Sequence, residues 1–455
     1  MNVARKMIFI SIGCFACVGA KAQVNCATST KLVCLVPYNT HAALQGNSSA
    51  TSQTSIFSAP IGAQLSQLPL AASAPGAVIL TIHGNPEAYD NLGPVLVDRP
   101  DSVGQGRLVL GFSAQQFNFN HLDGVGIGSV PLVYQQSQQG IVGQTYAQTV
   151  HASLKYNQYV LLATVGLPKK TDISVIVPIT RVSIGVAAVN PFLYLVNAEG
   201  VTPGSVTGGY TPGSASGVGD LVVNIKHVLW SGGEAGRGSL AVGTALRFPT
   251  GDALNYLGSG AYGFNPYVLA AYKAKFSPHV KIGYQWNTDS VLLNITGTGP
   301  NQSLPGGLQS AVGADFGLSR HLTLSADILT NEFQNSPSIS QVPFITTVSG
   351  AAALAGTGAT TPSTPCAVAS STTSAQALGG FCTASIVNKT FTTANFSGGL
   401  KWKPFVKQDL ILYGNVLIQM NDVGLRSDAS PSGGISYNFG LPRNWSWLDR
   451  SPDHW

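Results

Sequence analysis

The sequence predicts an all-β protein: a transmembrane, antiparallel, up-and-down β-barrel of about twelve strands, within a range of about 12 to 14, preceded by an irregular N-terminal extension. Three observations point there. Segments along the chain alternate apolar and polar residues with period two, and the connections between them alternate short and long. Charged residues make up only 9% of the 455 positions, against roughly 25% in soluble domains. The polar places are filled instead by Ser, Thr, Asn, Gln and 52 glycines. A soluble β-sandwich carries many charges on its wet face, whereas a wall between lipid and a lumen does not need them.

The elements follow in order. Residues 1–22 have the form of a cleaved signal peptide: Arg5 and Lys6, an apolar run over 7–20, and small-x-small Ala20-Lys21-Ala22 before Gln23. A run of about 14 apolar residues is short of the ~20 that a spanning helix needs. Residues 23–103 are rich in Ala, Ser, Pro and Gly without sustained periodicity and form an N-terminal extension or plug. The barrel occupies 104–440 and a tail 441–455.

Within the barrel the alternation is clearest over 280–287, where Val280, Ile282, Tyr284 and Trp286 face one way and Lys281, Gly283, Gln285 and Asn287 the other. Comparable segments lie at 107–120, 151–164, 172–184, 219–230, 238–248, 264–276, 308–318, 322–331, 393–403, 410–421 and 434–439. Short connections at 167–170, 231–237, 277–279, 319–320 and 404–407 alternate with long ones at 121–150, 189–216, 250–262, 288–306 and 334–389. Membrane barrels have short turns on the periplasmic rim and long loops outside. Alternation changes phase at Pro178 and at Gln115-Gln116, which are read as bulges or strand ends.

Several motifs in this order resemble one family: Gly217-Val218-Gly219-Asp220 leading a strand, Arg247-Phe248-Pro249-Thr250-Gly251-Asp252 ending one, and the entry 263–266. With 172–178 and Asn190-Pro191-Phe192, they are similar to the outer-membrane transporters of the phenol-degradation meta-pathway type. The resemblance covers about 104–440 and implies a β-barrel, similar in kind to long-chain fatty acid channels, that takes up hydrophobic or aromatic compounds. The tail after Leu441 and the size of the 334–389 loop depart from the pattern.

Four cysteines remain after cleavage, Cys26, Cys34, Cys366 and Cys382, an even number that suits two disulfides in an exported protein. The eight histidines show no metal-ligand spacing and read as isolated surface or rim residues. No nucleophile has an assignable base, so no enzyme, cofactor or metal is expected. Gly258 to Gly263 matches GxGxxG but joins two strands, which makes it a loop. The 24 basic residues exceed the 19 acidic ones, but Arg5, Lys6 and Lys21 fall in the signal segment. No basic stripe for nucleic acid is left.

Alternation turns Asp220, Asn224, Lys226, Arg247, Lys273, Lys275, Lys281, Gln285, Asp315, Asp327, Lys401, Lys403 and Asp409 into the lumen. Facing lipid would cost about 2 to 4 kcal/mol for a midplane Lys or Arg. The lysines near the short turns form either a basic ring favouring anionic solutes or pairs with Asp315 and Asp409. Asp252 reads as a turn former after Gly251. The expected function is an outer-membrane channel in a Gram-negative bacterium, its partners lipid and a small hydrophobic or aromatic solute moving by passive diffusion. The alternatives are a surface-interaction barrel displaying 334–389 and a barrel hydrolase.

Overall fold

The computed structural model describes residues 24–26, 28–43, 57–69, 79–82, 85–88, 91–138, 141–197, 200–205, 209–232, 237–295, 302–343, 382–405 and 409–440. Twelve strands close into a barrel: β1 (Arg107–Phe119), β2 (Ile141–Leu167), β3 (Thr171–Asn197), β4 (Leu221–Gly232), β5 (Gly238–Phe248), β6 (Gly263–Tyr272), β7 (Phe276–Asn287), β8 (Gly307–Ser319), β9 (Leu322–Pro343), β10 (Cys382–Trp402), β11 (Leu410–Gln419) and β12 (Ala429–Gly440). Each pairs antiparallel with its chain neighbour. The ring shuts where β12 meets β1, with Gly440 opposite Arg107 and Ser432 opposite Gln115. Closure leaves no strand edge in the membrane, where an unpaired N–H or C=O would find no partner.

The two faces of the wall follow the period-two pattern. Leu110, Phe112, Ile282, Val312, Ile328 and Leu400 point away from the lumen and are all exposed large hydrophobics. Asn224, Lys226, Asp315, Asp327 and Lys401 point inward and are buried. A belt of that size is stable only against hydrocarbon. Aromatic residues flank it at both ends: Phe264 stacks on Trp286 at the long-loop end, with ring centroids 5.8 Å apart, and Tyr437 meets Phe439 at the short-turn end.

Several strands are longer than the alternation indicated. β2 and β3 each have 27 residues, while about 9 to 11 cross a bilayer. The excess rises beyond the long-loop end, where β2 pairs with Val130–Gln138 and β3 with Gly200–Ser205 and Tyr210–Val218. The stretch 189–216, expected as a loop, is therefore partly strand. β9 and β10 likewise extend to Pro343 and back from Cys382, so the long connection narrows to 344–381, outside the described residues. The short turn before β7 lies at 273–275 rather than 277–279, because Phe276 to His279 already pair with β8 and β6.

Gln115 and Gln116 are not a bulge; they pair in regular register with Gln158 and Asn157. Pro178 is neither a bulge nor a strand end. It lies inside β3, opposite Val160, where the neighbour on the other edge changes from β4 to Tyr210–Val218. A proline suits that junction because its missing N–H has no ladder partner to serve. Its carbonyl accepts from Gly219 N–H at 2.7 Å. The signal segment 1–22, Cys366 and the tail 441–455 lie outside the described residues.

Residues 28–43 and 57–69 of the N-terminal extension pack against the inner side of the barrel and its long loops. Cys26 and Cys34 form a disulfide, followed by helices over Leu35–Ala43 and Ser58–Leu65. Leu32, Val33, Leu35 and Leu65 share a core cluster with Tyr256, Leu257, Leu292 and Ile295 of the long loops. Residues 91–103 lie at the opposite, short-turn end, where they enter β1.

Candidate functional site

The lumen side chains come together through glycines on intervening strands. His279 on β7, Gly313 on β8 and Asp327 on β9 share one row of the sheet. The space a Cβ at Gly313 would fill is occupied by the Asp327 carboxylate, which reaches across β8 to His279 Nε2 at 2.6 Å. Asp315 lies on the other side, 3.4 Å from Nδ1. Gly283 plays the same part: Asn265 on β6 spans β7 over it and donates to Gln309 on β8 at 2.5 Å. Over Gly243 the Tyr267 ring crosses β5, and its hydroxyl donates to Asn224 on β4 at 2.7 Å. His279 is thus buried and bracketed by two carboxylates, not a surface or rim histidine. The discernible signal is a glycine on the polar face, which clears the path between next-nearest strands.

Residues 91–103 occupy the short-turn end and take up the lysines there. Lys226 donates to the carbonyls of Arg99 and Asp101 at 2.9 and 2.6 Å, and lies 3.4 Å from Asp172. Lys273 pairs with Asp101, which also faces Arg99 at 3.3 Å. Lys401 donates to Leu92 O at 3.3 Å. Asn91 donates to Ser277 Oγ at 3.0 Å, and Leu92 N–H to Thr323 Oγ1 at 2.8 Å. A buried ammonium costs several kcal/mol unless paired and hydrogen-bonded, and this segment supplies both. The expected basic ring is therefore divided among partners: Lys273 pairs with Asp101 of the extension, Lys226 with Asp172 of β3, and Lys403 with Asp409, the last as the pairing alternative expected.

At the long-loop end Arg247 donates to Ser66 O at 2.6 Å and to Asn287 Oδ1 at 2.7 Å. Asp220 accepts from Gly251 N–H and Ser259 N–H at 3.1 and 2.7 Å, pinning the 250–262 loop. Gly251 and Gly258 pack backbone to backbone beside it, leaving no room for a Cβ on either; Gly258 is the first glycine of the GxGxxG match, and the second, Gly260, has a φ of +65°. Asp252 heads the next turn and pairs with Lys31 at 2.8 Å. Burial alone would raise its carboxyl, but hydrogen bonds from Lys31 and Asn255, with the Lys31 charge, hold it below the usual value. Arg426, on the loop between β11 and β12, is lowered to about 10 by burial, against the pull of Asp422.

Between these two ends lies a cavity of about 310 Å³. Its walls differ. The β4–β8 side presents Asn224, Arg247, Asn265, Tyr267, Lys281, Gln285 and Gln309 with Val222, Ala245 and Ala311 among them, and the phenylalanines Phe117, Phe119 and Phe333 stand on β1 and β9 beside Leu329, Thr330, Asn331, Thr393 and Asn395. Leu96, Val97 and Asp98 of the extension also line it, as do Gln64 and Ser66.

Of the thirteen lumen candidates, Asp220, Asn224, Lys226, Lys273, Gln285, Asp315, Asp327 and Lys401 are buried on the inner face, and Arg247 and Lys281 line the chamber. Lys403 and Asp409 pair at the short-turn rim at 2.8 Å, with Arg107 at 3.5 Å from Asp409. Lys275 does not face the lumen. It is exposed in the turn after β6, its ammonium 5.5 Å from the ring centroid of the exposed Phe316. The strand ends at Tyr272, so alternation has no hold on a residue in the turn.

Residues 134–323 match the family described as the MetA-pathway of phenol degradation, which bears out the family resemblance over that segment. No curated protein matches the chain. Among solved structures, an outer membrane channel from Pseudomonas putida F1 is 11% identical, with 74% of this chain and 97% of that chain covered, at a TM-score of 0.43. The toluene transporter TodX of Pseudomonas putida is 10% identical over 75% and 91%, TM-score 0.27. A FadL homologue of Pseudomonas aeruginosa is 9% identical over 73% and 88%, also at 0.27. Likeness of that degree adds nothing to what the strands themselves establish.

Proposed function

We propose that the protein is a Gram-negative outer-membrane channel, exported by a cleaved signal peptide over 1–22, that passes small hydrophobic or aromatic solutes by passive diffusion. In this reading 104–440 is the conducting barrel, and 23–103 is an internal plug that narrows the lumen rather than a separate periplasmic domain. The carrying observation is the cavity of about 310 Å³ inside a closed, lipid-belted barrel. That is the low end of the range for small-molecule sites, and it has aromatic rings along one side. The family match over 134–323 supports the solute class. Among the described residues that line the chamber, none is arranged as a nucleophile with its base, and those present are groups that bind and guide.

The test is reconstitution of the mature protein, with folding verified by heat-modifiable gel mobility. Stepwise current across planar bilayers and swelling of proteoliposomes in small solutes are the expected results. Folded protein that gives neither contradicts the channel reading.

A further inference from the structure

We propose that the outer wall of the barrel carries a docking site for a phosphate-bearing lipid of the outer leaflet, formed by Lys155 on β2 and Arg181 on β3 where the apolar belt ends on the long-loop side. The site faces away from the lumen and does not depend on the channel reading.

On this part of the wall the belt stops at one rung. Leu161 pairs with Val177 and Tyr159 with Ile179; Leu161, Tyr159 and Ile179 are exposed, and Tyr159 stacks on Phe112 of β1 with ring centroids 6.4 Å apart. The next outward rung toward the long loops is Asn157 opposite Arg181, and the one after it is Lys155 opposite Ser183. Asn118 of β1 stands beside Lys155, and Ser216 beside Arg181. Both cations are exposed. The wall thus passes from hydrocarbon-facing to polar immediately beyond an aromatic residue, which is the level of lipid headgroups.

The two like charges there ask for an anion. Lys155 and Arg181 are diagonal neighbours across the β2–β3 ladder, about 7 to 8 Å apart at the backbone, so their long side chains can close on one phosphate. Neither has an acidic partner among the described residues. Across β1, β2, β3 and 210–218 the single acidic residue is Asp172, which is buried on the lumen side beside Lys226. A lone lysine at this depth needs no ligand, because its stem can snorkel to water. Neighbouring cations without a counter-ion are instead unfavourable. A phosphate accepts charge-assisted hydrogen bonds from both, with Arg181 able to bind it in bidentate fashion. The acyl chains of the same lipid then lie along Tyr159, Ile179 and Leu161. That apolar continuation favours a lipid over a soluble anion, which gains nothing from it.

The test uses lipid A, a bisphosphorylated glycolipid, titrated into the full mature protein folded in detergent, with bound lipid counted by native mass spectrometry. One lipid A should bind per barrel, more tightly than the same lipid with its phosphates removed, and inorganic phosphate in large excess should not displace it. The double variant Lys155→Gln/Arg181→Gln should weaken binding about tenfold to a hundredfold. Both side chains point off the wall, so the variant should fold, as heat-modifiable gel mobility will show. Lys275→Gln, at the opposite rim, should leave binding unchanged. Equal affinity for the phosphate-free lipid, undiminished affinity in the double variant, an equal loss in Lys275→Gln, or displacement by inorganic phosphate overturns the proposal. A barrel that binds lipid A in this way but does not conduct refutes the channel reading alone.

Discussion

The two ends of the N-terminal extension share apolar packing in the barrel and differ in how many buried ion pairs they add. Around Leu32 to Leu35 and the helix Ser58–Leu65, the contacts are those of a protein core: aliphatic side chains against Tyr256, Leu257 and Leu292, reinforced by the disulfide. Residues 91–103 also bury Leu92, Val95, Leu96 and Val97, but add Asp98, Asp101 and backbone carbonyls on lysines of the wall. Apolar packing has no single decisive contact and is hard to exchange. An ion pair can be traded for another ion of the same sign. The difference places the ion-paired part of the extension at the short-turn end, on Lys226, Lys273 and Lys401.

Four substitutions would break or sharpen this contrast. Asp101→Ala should be the most damaging, since it leaves Lys273 buried without its carboxylate, at about 3 to 5 kcal/mol. Hydrogen exchange should then quicken across 91–103 and not across 57–69. Leu292→Ala removes a fully buried side chain that packs against Gly62 of the outer helix. A loss of about 2 to 5 kcal/mol is expected, with faster exchange confined to 57–69. Cys34→Ser opens a short loop, for which the chain-entropy account gives about 2 to 3 kcal/mol; proteolysis near 24–43 would report it. Lys31→Gln should have the smallest effect, below about 1 kcal/mol, because the pair with Asp252 is exposed.

That last pair also carries a pH sign. The folded Asp252 carboxyl is held below its ordinary value, so its contribution is present above the unfolded value and is lost as pH falls through the lower, folded one. Exchange at residues 28–34 should quicken on acidification in the wild type and much less in Lys31→Gln. An identical response in both would show that the pair contributes nothing.

The barrel was legible because period two is enforced by the wall itself: a residue such as Val312 or Asp315 has only lipid or lumen to face. Legibility failed where that constraint ends. Lys275 lies past the end of β6, and alternation assigned it a face it does not have. The upper parts of β2, β3, β9 and β10 stand clear of the membrane, so they need no apolar outer face, and a glycine- and proline-rich strand there resembles a loop. The pairing of His279 with Asp327 was hidden for a different reason. It joins residues 48 positions apart across a strand that contributes a glycine and no side chain of its own. The pairing of Lys273 with Asp101 was out of reach because Asp101 lies in a segment without periodicity.

The most direct test is uptake into liposomes carrying the refolded mature protein, comparing a small aromatic acid with a sugar of similar size. Faster entry of the aromatic acid is the expected result. Entry of the two solutes at equal rates, or of neither through a correctly folded barrel, would contradict a channel built around this chamber.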